Sequence, residues 1–194
     1  MKALKEVMSW IIPVVIGLAI ALAIKQFVFT RVRVDGPSME PNLDNNEKVF
    51  AFKQSKIKHL SVIVFDAHGE DPAAKTNTNY VKRVIGLPGD TVTSKNGYIY
   101  VNKKKINQRF ISKSEQTSGT GNWTLASLQK TNGWGKGTTV VPKGKYFVLG
   151  DHRSVSNDSR YWGFVDKDKV LGVVKVPFWA SNKTKRANVN NLAY

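Results

Sequence analysis

Apolar and polar positions divide the chain into two textures. From Val7 to Ile24 no residue is charged and Ser9 is the only polar side chain. Phe27-Val28-Phe29 extends this run past Lys25-Gln26, so the segment is long enough to cross a bilayer. Pro13 and Gly17 are tolerated in a membrane helix. A cleavable secretory signal is the competing reading: Lys2 and Lys5 form a positive n-region, and Ala19-Ile20-Ala21 and Ala21-Leu22-Ala23 fit a small-x-small cleavage rule. The run exceeds the usual apolar region of about 7–15 residues. This favours an uncleaved anchor over residues 7–29 behind a short cytoplasmic N-terminus, residues 1–6. Flanking charges oppose one another, and the shortness of the N-terminus points to an N-in, C-out orientation.

Beyond residue 30 the period changes to two. Arg31-Val32-Arg33-Val34-Asp35 alternates strictly and predicts a half-buried strand. Lys48–Phe52, Val62–Phe65, Asn79–Ile85, Tyr146–Leu149 and Val170–Val176 predict further strands. Val92 to Val101 predicts a hairpin closed at Asn96-Gly97. No long amphipathic helix follows residue 30, so the fold class is all-β, a domain of many short strands over residues 30–180. Gln108 to Thr139 is rich in Ser, Thr, Gly and Asn and reads as an insertion with a small core of its own. The segment 181–194 is polar and basic, and it is expected to be loose.

Composition narrows the chemistry. The 30 lysines and arginines outnumber the 14 aspartates and glutamates, for a net charge of +16. Such a bias suits anionic partners, either nucleic acid or the lipid and polymer of a cell envelope. Cysteine is absent, which excludes a thiol nucleophile, disulfides and cysteine-bound metal. No His-x-x-x-His pair or carboxylate cluster suggests a metal, and no glycine-rich phosphate loop is present, so no cofactor is expected.

Three stretches carry candidate chemistry. Ser38 lies in the Gly/Pro-bounded turn Gly36-Pro37-Ser38-Met39-Glu40-Pro41, which can present a hydroxyl and a backbone N–H, though most such serines simply satisfy a turn. Lys82 and Arg83 sit inside an apolar strand, so alternation puts one of them on a buried face or its rim. A desolvated lysine there would lose its proton easily and could act as a base; an edge strand with snorkelling cations is the plainer alternative. Gly150 to Arg160 is a dense polar loop in which Asp151, Arg153, Asp158 and Arg160 can pair. His59 and His68 are expected to be solvated, and a Ser-His-Asp triad built on one of the three histidines stays open.

Taken in order after a single span, these stretches resemble bacterial type I signal peptidases of the short, single-span kind found in Gram-positive bacteria. Ser38-Met39-x-Pro41 matches that family's nucleophile box, Tyr80 to Asp90 its lysine box, and Gly150-Asp151, Arg153, Ser156 and Asp158-Ser159-Arg160 its last box. The resemblance implies a barrel-like catalytic domain of short antiparallel strands. It implies a membrane serine protease that removes signal peptides from exported preproteins after small residues of the Ala-x-Ala type. Carried over by position, Ser38 is the nucleophile, Lys82 the general base, and Ser156 a hydrogen-bond partner that orients Lys82. Asp158 and Arg160 form a supporting ion pair, with Arg83 and Asp151 as structural neighbours. The Ser38 N–H is one oxyanion donor; a serine two residues earlier supplies the second in some relatives, and here that position is Gly36. Val34, Met39 and Val81 are the candidates for shallow substrate pockets, and an extended substrate would lie against the strand at Val32–Asp35. His152 replaces the usual Asn and Asn42 the usual Thr, both with little expected effect. The implied partners are signal peptides and membrane lipid, with no nucleic acid. The implied place is the plasma membrane, with the N-terminus cytoplasmic and the catalytic domain outside. Two rivals are a non-enzymatic, membrane-anchored basic binding protein and a self-cleaving repressor with a related Ser–Lys site. The first leaves the three boxes unexplained, and the second would carry a DNA-binding domain in place of the span.

Overall fold

The computed structural model describes residues 2–192 apart from 77, 118, 136 and 181, with side chains from residue 7 onward. Ser181, Ala193 and Tyr194 of the polar tail therefore lie outside the described residues. Helix α1 (Lys2–Phe27) contains a 21-residue stretch, Val7–Phe27, long and apolar enough to cross a membrane, and its side chains are exposed throughout. The helix stops just before β1 (Phe29–Arg33), where Phe29 packs on Phe50 and Phe52.

The rest is dominated by short antiparallel strands: β2 (Lys48–Phe52), β3 (Val62–Asp66), β4 (Asn79–Gly86), β5 (Val92–Lys95), β6 (Tyr98–Val101), β7 (Lys104–Lys105), β8 (Trp123–Thr124), β9 (Lys145–Leu149), β10 (Val165–Asp166) and β11 (Val170–Lys175). Seven of them form one curled half-barrel sheet in the order β1-β2-β11-β3-β4-β9-β10, and the other four form a small sheet, β7-β6-β5-β8. The register shifts between Val84 and Gly86 and between Val170 and Gly172, and such irregularities bend a strand. A Cβ on Gly86 would come within 2.7 Å of Val92 and 2.8 Å of Val141, so only glycine lets the two sheets close up there. The predicted hairpin is present, with Asn96 and Gly97 both at positive φ, as a two-residue loop requires.

Among the described residues, four short α-helices and one 3-10 turn (Lys167–Lys169) complete the fold: α2 (Lys113–Thr117), α3 (Leu125–Asn132), α4 (Ser159–Trp162) and α5 (Lys183–Asn190). Two expectations are corrected here. The insertion has no core of its own: Trp123 and Leu125 pack into the same cluster as Ile85, Ile99 and Phe147 of the strands. The tail is not loose over residues 183–190. Those residues form α5, whose Val189 is buried among Val34, Met39 and Val174. Strand β4 runs through the middle of the packing, with Val81, Val84 and Ile85 each in a different core cluster.

Candidate active site

The chain leaves β1, turns at Gly36 (φ +78°), and presents Ser38 on a short turn. Asn42 N–H and Leu43 N–H both donate to the Met39 carbonyl at 3.0 Å, and the buried Met39 and Leu43 pin this turn to the core. Ser38 itself is only partly covered, and among the described residues its N–H donates to none. The Lys82 Nζ lies 2.7 Å from the Ser38 Oγ.

Lys82 pairs with Ile63 in the β3–β4 ladder and is 4% exposed; its neighbour Arg83 is 0% exposed. Alternation required only one buried cation. Both are buried because each face of β4 is covered by its own cluster. Arg83 is neutralised, with Nε and Nη2 on the two carboxylate oxygens of Asp151 at 2.7 and 2.6 Å. Lys82 touches no carboxylate among the described residues. Burial therefore dominates and lowers its pKa to about 8, with the charge of Asp158 opposing that shift and Arg160 adding to it. The Tyr80 ring lies 5.2 Å from the Lys82 Nζ. Burial and the hydrogen bond that Tyr80 donates to Asp71 push the phenol up to about 12, so it keeps its proton.

The loop after β9 brings up the remaining groups. Asp158 and Arg160 form a buried two-pronged ion pair at 2.8 and 3.0 Å. Asp158 also accepts the Gly150 N–H at 3.0 Å and caps α4. Arg153 is buried as well; its Nε donates to the Gly150 carbonyl and its Nη1 to the Gln108 side chain, both at 2.8 Å. A Cβ on Gly150 would fall 2.2 Å from the Ser156 Oγ and 2.5 Å from the Ser38 carbonyl oxygen, so glycine is what lets these two serine segments meet. The Ser156 hydroxyl is buried beside them, but it makes no hydrogen bond to Lys82 and has no partner among the described residues. His152 donates its backbone N–H to the Ser38 carbonyl at 3.0 Å, while its ring sits 3.3 Å from the Pro37 carbonyl and away from the serine hydroxyl. His59, expected to be solvated, instead pairs with Asp90 at 2.6 Å; His68 is exposed. Val34, Met39 and Val81 share one core cluster at 1%, 0% and 5% exposure. A cleft of about 590 Å³ lies between Thr30–Arg33 and Asp35 on one side and Thr78 and Asn79 at the start of β4 on the other; Val34 does not line it.

Sequence reasoning underrated Asn42. It is buried, donates to the Phe110 carbonyl at 2.7 Å and to Asp151 at 2.8 Å, and accepts from Asn188 of α5 at 2.8 Å. The Arg83 Nη1 donates to the Asn188 carbonyl at 3.0 Å. The serine turn, the Arg83–Asp151 pair and the final helix are thus one hydrogen-bonded unit. An asparagine one residue past a proline carries no signal of this in sequence.

The family described as "Signal peptidase, peptidase S26" matches residues 7–179. The chain belongs to the type I signal peptidases of that family. Signal peptidase IB of Staphylococcus aureus is 36% identical over 189 residues, covering 93% of this chain and 94% of the relative. Signal peptidase I of Bacillus licheniformis is 32% identical over 185 residues, with 93% and 92% covered. A crystal structure of a signal peptidase I from Enterococcus faecalis V583 aligns with a TM-score of 0.50 and 34% identity, over 61% of this chain and 97% of that one. As a signal peptidase the chain is a peptidase of signal peptides, and α1 makes it a membrane-anchored one.

Proposed function

We propose that this signal peptidase cleaves its substrates by a Ser–Lys dyad, with Ser38 as nucleophile and Lys82 as general base. The observation that carries the reading is the 2.7 Å contact between the Ser38 Oγ and a Lys82 Nζ that is shut off from solvent. The neutral amine takes the hydroxyl proton as the Ser38 Oγ attacks the scissile carbonyl. The resulting ammonium then protonates the leaving amine, and water hydrolyses the acyl-enzyme by the same route. The uncommitted Ser38 N–H is available to the oxyanion. Ser156 is not bonded to Lys82 in this structure; its orphaned buried hydroxyl costs about 1–3 kcal/mol, and turning it to the amine when substrate binds would remove that cost, which is the role we assign it.

The substrate enters extended. β1 ends the sheet, so its outer edge is open to an added strand, and the cleft between β1 and β4 gives that strand a bed. Val34, Met39 and Val81 are packed inside the core and do not line that cleft, so the expected small-residue pockets are not open at these side chains, and the preference for Ala-x-Ala rests on the family likeness. The anchor is uncleaved and the domain from residue 30 lies outside the cytoplasm, where exported preproteins emerge. Detergent-solubilised protein incubated with an exported preprotein yields one cut after a small residue, read by mass spectrometry, and Ser38→Ala yields none while remaining folded. Wild-type turnover by Ser38→Ala would end the assignment. Protease added to intact protoplasts digests the domain; its protection would reverse the topology.

A further inference from the structure

The connection from β2 to β3 and the last turn of α5 enclose a second cleft, of about 350 Å³, unrelated to the dyad. Lys56, Lys58 and Lys175 line it, and no aspartate or glutamate does. Three other lysines on the fold are matched to acids: Lys169 with Asp66, Lys145 with Asp166 and Lys185 with Asp44. Lys175 is held in place, with its Nζ on the Asn190 carbonyl at 3.2 Å. Burial, and then the charge of Lys58 across the cleft, both disfavour its ammonium form. The anchored Lys175 and the exposed Lys58 therefore put two like charges on one cleft, whose polar wall includes Ser61 and Asn190. The loop that carries Lys56 and Lys58 begins against the end of the membrane helix: the Lys53 Nζ donates to the Gln26 carbonyl at 2.7 Å and the Gln54 amide to the Phe27 carbonyl at 3.4 Å.

We propose that this cleft binds a phosphate group, with Lys58 and Lys175 as its paired cations and Lys56 at the rim. An anion between the two ammoniums turns their repulsion into two charge-assisted hydrogen bonds. The same chemistry could come from free phosphate or from the headgroup of an anionic phospholipid, and the test separates them.

The full chain is studied in neutral detergent as wild type, as Lys58→Gln/Lys175→Gln, and as Lys95→Gln/Lys103→Gln. The last removes the same charge from exposed hairpin turns. Inorganic phosphate is titrated at constant ionic strength, with chloride as the balance. At tenfold excess over the dissociation constant, the wild type and the turn variant rise in Tm by about 3 °C, and the cleft variant does not move. Native mass spectrometry after extraction from nanodiscs with and without phosphatidylglycerol gives the second arm. Retention of that lipid by the wild type but not the cleft variant identifies the headgroup as the source. A phosphate shift without lipid retention identifies the free anion. Should the double variant fail to fold, Lys58→Gln alone, at an exposed side chain, replaces it. If the cleft variant and the wild type respond alike in both arms, the proposal is overturned.

Discussion

Replacing Lys82 separates a base from a mere cation. Burial takes the lysine from 10.5 to about 8. At pH 7 that raises the free-amine fraction from about 0.03% to about 10%, some 300-fold, which corresponds to about 3 kcal/mol. The same figure is a cost to the fold. Below pH 8 the amine is charged in both folded and unfolded states, and the folded state bears the whole penalty. Between pH 8 and 10.5 the unfolded chain binds more protons than the folded one, so this group's contribution makes stability rise with pH across that window. Lys82→Met is therefore inactive yet more stable at pH 7, by up to about 3 kcal/mol less the lost bond to Ser38. Lys82→Arg is as inactive as Lys82→Ala, below about 1% of wild type, because a guanidinium does not deprotonate in a protein. The assay is kcat/KM on a quenched-fluorescent signal-peptide substrate from pH 6 to 10, paired with urea midpoints at pH 7. Wild-type kcat/KM climbs with pH through one ionisation near 8. A flat profile, or substantial cleavage by Lys82→Arg, would show that something else activates Ser38.

Three further outcomes follow from the packing. Gly150→Ala places a methyl 2.2 Å from the Ser156 Oγ and 2.5 Å from the Ser38 carbonyl, and kcat falls by about 100-fold or more; unchanged kcat would mean that the two serine segments need not touch. Asn42→Ala leaves the Phe110 carbonyl and the Asn188 amide without this partner and removes one of two bonds to the Asp151 Oδ2, which keeps Arg83, and it lowers stability by about 2–3 kcal/mol in denaturant titrations; a neutral midpoint would remove Asn42 from the core network. His152→Asn keeps kcat/KM within about threefold, since the ring bonds a backbone carbonyl and not the serine hydroxyl; a hundredfold loss would bring imidazole back into the mechanism.

What could be read in the chain was whatever repeats with a period or sits in a dense motif. The alternation at Lys48–Phe52 and the Asn96-Gly97 turn became a strand and a hairpin, because local propensity and tertiary packing agree there. Strand 31–35 shifted two residues earlier, since Gly36 needs Val34 and Asp35 as the lead into its turn. Ser38 and Lys82 were legible as neighbours only through the resemblance; 44 positions apart, they are joined by packing that no local pattern encodes. Helix α5 was missed because a single apolar residue, Val189, anchors it. The rest of its docking runs through Lys185 on Asp44, Arg186 on the Phe178 carbonyl, and Asn188 and Asn190, which look like solvated polar residues in sequence. In α3 the signals were present, a Thr124/Ser127 capping box and a left-handed Gly133, but they were masked by the surrounding Ser/Thr/Gly composition.

The strand order sets a schedule for the enzyme's own birth. β11 lies between β2 and β3, hydrogen-bonded to both, although it is the last strand to be synthesised. Ser38 follows the β1–β2 side of that seam, and Lys82 stands on β4 across it. A ribosome that has finished β4 has made both halves of the dyad but not the piece that joins them. The chain must grow from Gly86 to Lys175, 89 residues, before β11 is complete, and to Asn188 before the serine turn is latched. A half-made chain therefore lacks the strand that ties the Ser38 side of the sheet to the Lys82 side, and that tie is among the last parts of the described fold to be made.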